Sequence, residues 1–385
     1  MKKVNIEERA NWRQKVERDG FFFHTVDGVR YWDERGYYQF TEEQINRDIE
    51  GPTQELHEMS MDLVARVVDS EELLCKLAIP PVFHDLVRTS WKQADPHLYS
   101  RFDFIYDANG PAKVIESNAD TPTSLLEAGS VQLLWLEDLI QQGKLPPQAS
   151  QFNTLAEDLV SAFAALKTDS AFYFAAASGS VEDRCTTDFM RKMAHNAGVD
   201  ARHIDIEDIG LTNTGRFVDL SGNWIERLFK LHPWEDIFHE PYGSALPNCD
   251  TQFVEPAWKS ILSNKGMLPL LWEFNKGHPN LLPAFFDATP HKPVPNGWVR
   301  KPFFSREGAN IELCTPYGER VAEDGPYVKG PFILQEFAQL PKFGDSFTLI
   351  GSWVIAGRPS GIGIREDDTL ITKNTSRFLP HVVLD

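Results

Sequence analysis

Cysteine is scarce in this chain, and its four copies, Cys75, Cys185, Cys249 and Cys314, stand far apart with no C-x-x-C spacing. That argues against a zinc ribbon or a disulfide framework and points to free thiols in a reducing compartment. No stretch reaches the ~18 continuous apolar residues of a membrane helix. The opening segment MKKVNIEERANWRQKVERDG is charged throughout and lacks the apolar centre of a secretory signal. Positive charge is in short supply too: 38 Lys and Arg against 56 Asp and Glu leave a net charge of −18. Neither nucleic acid nor an anionic membrane is an expected partner, and the field favours cations. No internal repeat or low-complexity linker interrupts the chain. A cytoplasmic protein is the expectation.

Apolar and aromatic residues are abundant. With 385 residues, 42% of them apolar, and with 26 Phe and 10 Trp, the chain has core enough for two or three packed units. The pattern is mixed, of class α/β (α+β). Residues 4–19 read as a charged helix ended by Gly20, followed by aromatic strands around Asp27-Gly28 and Arg35-Gly36 turns. Thr41 and Gln44 form a capping box ahead of a helix with a break at Gly51-Pro52. From residue 150 the order helix, strand, helix, strand is a βαβ signature, with Ser178 to Asp183 at the carboxyl end of a strand, where ligands sit. A hairpin through Ser221-Gly222 comes next, then a helix interrupted at Asn264-Lys265-Gly266, then antiparallel strands to the end. Three sub-regions, 1–150, 151–240 and 241–385, are expected within a single module spanning 1–385.

The most telling stretch is RFDFIYDANGPAKVIESNADTPT, residues 101–123. It reads as two strands joined by a tight Asn109-Gly110 turn. Alternation puts Arg101, Asp103 and Ile105 on one face of the first strand and Val114, Glu116 and Asn118 on one face of the second. Two carboxylates, an amide oxygen and an arginine converging on adjacent strands would hold a hard cation against a polyphosphate. A structural salt-bridge network would explain the same residues. The following helix could offer its N-terminal amides to an anion.

Other segments fit a nucleotide site. Lys301 ends the strand WVRKP just before a turn with Ser305, Arg306, Gly308 and Asn310, an arrangement suited to holding phosphates and folding a lid over them. Lys265 is a second candidate phosphate ligand. The QEFA run, Gln335, Glu336, Phe337 and Ala338, ends an apolar strand where backbone groups could read adenine. Arg365 lies on an otherwise apolar strand and needs a carboxylate or phosphate partner. His57, with no second His at metal spacing, reads as a packing residue.

Together, R-x-D at Arg101 and Asp103, E-x-N at Glu116 and Asn118, V-x-KP at Val299 to Pro302 with its S-R-E-G-x-N loop, and the QEF strand resemble the glutathionylspermidine synthetase family. NADTPTSLLEAG, NKGMLPLLW and LITKNTSRF add to the likeness, in the family's order and over nearly the whole chain. The resemblance implies an ATP-grasp fold and covers the ligase half only; the amidase domain of bifunctional members has no counterpart here. It further implies Asp103, Glu116 and Asn118 as Mg²⁺ ligands and Arg101 as the arginine that stabilises the transition state. ATP would be held by Arg101, Asp103, Lys265, Lys301, Gln335 to Ala338, Arg365, Leu370, Ile371 and Thr372. Thr121, Thr123, Glu182, Asp183 and Leu231 fall in its substrate-binding segments. One position departs: Arg377 stands where polyamine-binding members place an acidic residue, a sign that argues against spermidine.

The expected chemistry is an ATP- and Mg²⁺-dependent ligase joining a small-molecule or peptide carboxylate to an amine through an acyl phosphate. A non-catalytic ATP- and peptide-binding homologue and a two-carboxylate hydrolase are the rivals. The oligomeric state is open, with a homodimer among the choices.

Overall fold

The computed structural model describes every residue except Asp27 and Asn374. The Asp27 half of the expected Asp27-Gly28 turn therefore lies outside the described residues.

A six-stranded antiparallel sheet forms the centre. Its strands Ser346–Ile355 and Arg358–Asp367 make a long hairpin, flanked by Tyr99–Ile105 and Lys113–Asn118 on one side and by Arg377–Leu379 on the other. Strand Ser346–Ile355 is buried along almost its whole length, as its run of Leu, Ile, Trp and Val requires. A second sheet, five-stranded and antiparallel, pairs Trp298–Pro302 with Glu312–Cys314 and with Phe332–Glu336. A third, four-stranded and parallel, is built by Phe172–Ala176, Ala201–Asp205, Arg227–Leu231 and Gln252–Val254. Helix Val181–Asn196 connects its first two strands in βαβ fashion, with Ser180 capping the helix by accepting from the Asp183 N–H. The chain's two ends meet in a small sheet, where Gly36–Phe40 lies between Lys2–Asn5 and His381–Val383.

Several expectations need correction. Lys2–Asn5 is a strand, and the first helix runs only over Trp12–Arg18; pairing with Gly36–Phe40 outweighs local helix preference. The capping box at Thr41 and Gln44 forms as read. The break beyond it is a π-helical turn, Asn46–Glu50, that passes into the helix Gly51–Val67 without a gap, with Pro52 just after the π turn. Segment Arg227–Leu231, which lies between the expected Ser221-Gly222 hairpin and the next expected helix, is a fully buried parallel strand. His57 is buried and lies 6.0 Å from the His97 ring, a packing role as expected.

The central hairpin also differs in detail. Asn109-Gly110 does not make a two-residue turn. Residues 106–112 form a longer loop in which Ala108 takes the positive φ and Asp107 accepts from the Asn109 N–H. Arg101 pairs with Asn118 and Asp103 with Glu116, but the register then slips, so that Phe104 pairs with Val114. The slip makes Ile115 the extra residue of a β-bulge. Val114 is thereby turned into the main core beside Phe104, away from the face of Glu116 and Asn118.

Candidate active site

Arg101 is 8% exposed, and its side chain lies over Gly351 of the neighbouring strand. A Cβ at Gly351 would come within 2.8 Å of the Arg101 Cδ, so glycine there leaves the channel for the guanidinium. That group grips Asp103 with two bonds, Nε to Oδ1 at 2.7 Å and Nη2 to Oδ2 at 3.1 Å, while Nη1 donates to the Thr123 carbonyl at 3.0 Å. Arg365 reaches the same carboxylate at 2.7 Å from strand Arg358–Asp367, and the Asn118 amide adds a bond at 3.3 Å. Burial works to raise the Asp103 pKa, and the two guanidiniums outweigh it, holding this carboxyl below its ordinary range.

Glu116 pairs with Lys265 at 2.9 Å, and Lys265 also donates to the Ser305 carbonyl. Lys301 donates to Gln335 Oε1 and to the Ile115 carbonyl, both at 2.8 Å. The bulge thus presents a carbonyl to the second lysine, linking the central and five-stranded sheets. Desolvation depresses Lys301 to about 8, against the pull of Glu116. Beside it, Ala338 and Leu370 pack around Ile105, Leu340 and Leu349, together with Ile115 and Phe347. Ile371 is buried, whereas Glu336 projects into solvent and Phe337 is half-buried. The Glu336 and Phe337 N–H groups already donate to Pro283 and Gly297.

A cavity of about 310 Å³ opens in front of Arg101. Arg101, Asp103, Glu116, Asn118, Thr121, Thr123, Glu182, Asp183, Leu231, Arg365 and Thr372 all line it, so residues from every part of the chain share one space. Lys265, Lys301 and the QEFA run do not line it, and Lys265 reaches it through the ion pair with Glu116. The loop after strand Trp298–Pro302 closes the mouth: Gly308, at φ +74°, sits so near Ile371 and Thr372 that a Cβ would come within 2.6 Å of the Thr372 carbonyl. Arg306 of that loop bonds to Glu235 at 3.0 Å.

Sequence reading missed Tyr31, Glu127 and the Asp120–Lys230 pair. Tyr31 lines the cavity and donates to buried Glu127 at 2.6 Å. Asp120 binds Lys230 at 2.6 Å with both side chains 1% exposed, and also accepts from the Trp234 N–H at 2.9 Å. Only a buried Lys in an apolar run could have hinted at the latter. Arg377 turns away from the cavity, to Ser346 at 2.7 Å and Asp368 at 2.9 Å, and its neighbour Phe378 faces the cavity instead. Its charge therefore does not face the cavity.

The donor set fits Mg²⁺ when a phosphate completes the shell. Asp103 and Glu116 are directly opposed in the sheet with Asn118 two residues on, an all-oxygen set of two carboxylates and one amide. Among the described residues no cluster of three or more His, Cys, Asp and Glu stands ready to hold a metal ion by itself.

The family model for the glutathionylspermidine synthase preATP-grasp region matches residues 3–384. A Haemophilus influenzae protein named as a candidate acid–amine ligase is 38% identical, over 99% of this chain and 99% of its own length. Trypanothione synthetase of Crithidia fasciculata is 28% identical over 89% of this chain, and the bifunctional glutathionylspermidine synthetase/amidase of Escherichia coli 26% over 90%. This chain spans only 56% and 59% of those two proteins. A glutathione synthetase-like effector from Globodera pallida shares the fold, with a TM-score of 0.55 at 11% identity over 90% of this chain and 89% of that one. The matched segment, the ATP-grasp architecture and the relatives agree: the chain belongs to the glutathionylspermidine synthase family and is, by class, an ATP-dependent carbon–nitrogen ligase.

Proposed function

We propose that this protein joins a carboxylate to an amine by way of an acyl phosphate, with glutathione or another peptide as the acid and a polyamine or other amine as the nucleophile. The observation that carries the reading is the bidentate Arg101–Asp103 pair at the cavity wall, backed by Arg365 and by the Glu116–Lys265 pair. Lys265 and Lys301 would hold the polyphosphate, and Leu370 with Ala338 would wall the adenine. With the Glu336 and Phe337 N–H groups already engaged, the Ala338 N–H is the donor left to the base. Asp103, Glu116 and Asn118 would hold Mg²⁺, which when bound neutralises charge on the phosphates. Arg101 would stabilise the charge gathering on the transferred phosphoryl and on the acyl phosphate, since a planar guanidinium matches phosphate oxygens. Thr121, Thr123 and Leu231 would orient the acid, and Glu182 and Asp183 the amine.

The test is an ATP-consumption screen with Mg²⁺ over paired acids and amines, glutathione and spermidine first, with mass spectrometry of the products. ADP and an amide formed only when acid and amine are both present is the expected result. Nucleotide binding without turnover on any pair would favour a non-catalytic homologue.

A further inference from the structure

The amine of a ligation arrives as an ammonium ion and must lose a proton before it can attack. Two buried groups, one lining the cavity and one directly behind it, have no part in the nucleotide site. Tyr31 is 4% exposed and lines the cavity, and its hydroxyl donates at 2.6 Å to Glu127, which is 1% exposed. Among the described residues no Lys, Arg or His forms an ion pair with Glu127, and Tyr31 is its side-chain hydrogen-bond partner. A buried carboxyl without a cation is costly, and structure alone does not call for one here. With Glu127 ionised, the hydroxyl's proton is committed to its carboxylate, and the Tyr31 oxygen is then left to accept from a ligand in the cavity.

We infer that Tyr31 and Glu127 form a proton relay that deprotonates the incoming amine; this rests on the ligase reading. The ammonium passes a proton to the Tyr31 oxygen as the Tyr31 proton passes to the Glu127 carboxylate. The neutral amine then attacks the acyl carbon, the C–N bond forms, and the C–O bond to phosphorus breaks with its electron pair leaving on phosphate. Phosphate takes the second nitrogen proton, so the charges balance. Glu127 later returns its proton to solvent through Tyr31.

The surroundings suit this role. Glu182 of the helix Val181–Asn196 faces Glu127, with Arg101, Arg365 and Cys185 as the other titratable or charged groups nearby. Burial, then the Glu182 charge, pushes Glu127 up to about 8, while the Tyr31 hydrogen bond pulls it back. An acceptor of that strength is matched to work near neutral pH. The relay requires the carboxylate, so amide formation with a cationic amine should rise with pH through about 8 and then level.

Two measurements test it. Infrared titration of the whole protein, compared with E127Q, reads Glu127 without turnover: a carboxylic acid band should be present at neutral pH, vanish above about 8, and be missing in E127Q. In Y31F it should persist to higher pH, because the hydrogen bond that favours the carboxylate is gone. A Glu127 ionised throughout, in the ordinary carboxylate range, overturns the relay. The second compares spermidine with hydroxylamine, largely uncharged at neutral pH, as acceptors of acyl groups from glutathione. E127Q and Y31F should each lower the spermidine-to-hydroxylamine rate ratio by about 10²-fold and flatten its pH profile. An unchanged ratio, with both rates lowered alike, also overturns the relay and leaves Glu127 a structural residue. Wild-type protein that makes no hydroxamate with glutathione counts against that acid in the ligase reading, and the infrared titration can still overturn the relay by finding Glu127 ionised throughout.

Discussion

The two walls of the cavity treat buried charge in opposite ways. On the sheet wall every carboxylate has a cation: Asp103 has Arg101 and Arg365, and Glu116 has Lys265. On the helix wall Glu182, and Glu127 behind Tyr31, have none among the described residues, and burial raises both carboxyls. The sheet wall is thus assembled in advance, with charges that can be re-partnered by phosphate and a metal ion. The helix wall is incomplete until positive charge arrives from outside. That division matches a ligase whose phosphate chemistry lies on one side and whose amine enters on the other.

Asp120 and Lys230 join the two walls, and removing one should have the largest effect. Asp120→Ala would leave Lys230 buried and unpaired, a loss of roughly 3–5 kcal/mol of stability measurable by urea unfolding. Burial already lowers the Lys230 pKa against the pull of Asp120. Adding Lys230→Met should recover part of the loss, and no recovery would show that the pair is not what couples the walls.

Within the sheet wall, Arg101→Ala should lower turnover by about 10²–10³-fold with a smaller change in ATP affinity. Near-normal turnover would remove Arg101 from the chemistry. Glu116→Ala should abolish the Mg²⁺-dependent part of nucleotide affinity in calorimetry, whereas Glu182→Gln should leave that affinity alone and weaken the amine by about tenfold, as expected for one lost ion pair of roughly 1.4 kcal/mol. Equal effects of the two on nucleotide would erase the distinction between the walls.

The smallest effect concerns Lys301. Its depressed pKa of about 8 means it is largely neutral above that pH in the free protein. Phosphate favours the ammonium form, so nucleotide binding there should take up a proton, and binding below about 7 should not. Lys301→Arg, always charged, should abolish the uptake. Calorimetry in buffers of different ionisation enthalpy reads this directly.

Much of the sheet wall was legible in the chain. Period-two alternation over residues 101–118 put Arg101, Asp103, Glu116 and Asn118 on shared faces, and the register bears that out for these four. Alternation assumes an unbroken ladder, so it could not foresee the bulge at Ile115, which turned Val114 into the core and gave Lys301 a carbonyl. The βαβ unit that carries Glu182 and Asp183 was likewise visible as a strand, a polar turn and a helix. Strand Arg227–Leu231 was not, because a short buried parallel strand carrying Arg and Lys has no period to detect.

By itself the sequence determined the charge, the family and those elements with a clear period, because these reside in local pattern and in motifs of fixed spacing. Only the tertiary structure decided which charges are paired. Arg377, alarming as a letter in the chain, spends its charge on Asp368 outside the cavity, and Glu127, unremarked in an apolar helix, stands buried against Tyr31 from almost a hundred residues away. The energy of a buried charge depends on what lies within a few ångströms of it, and chain separation says little about that distance.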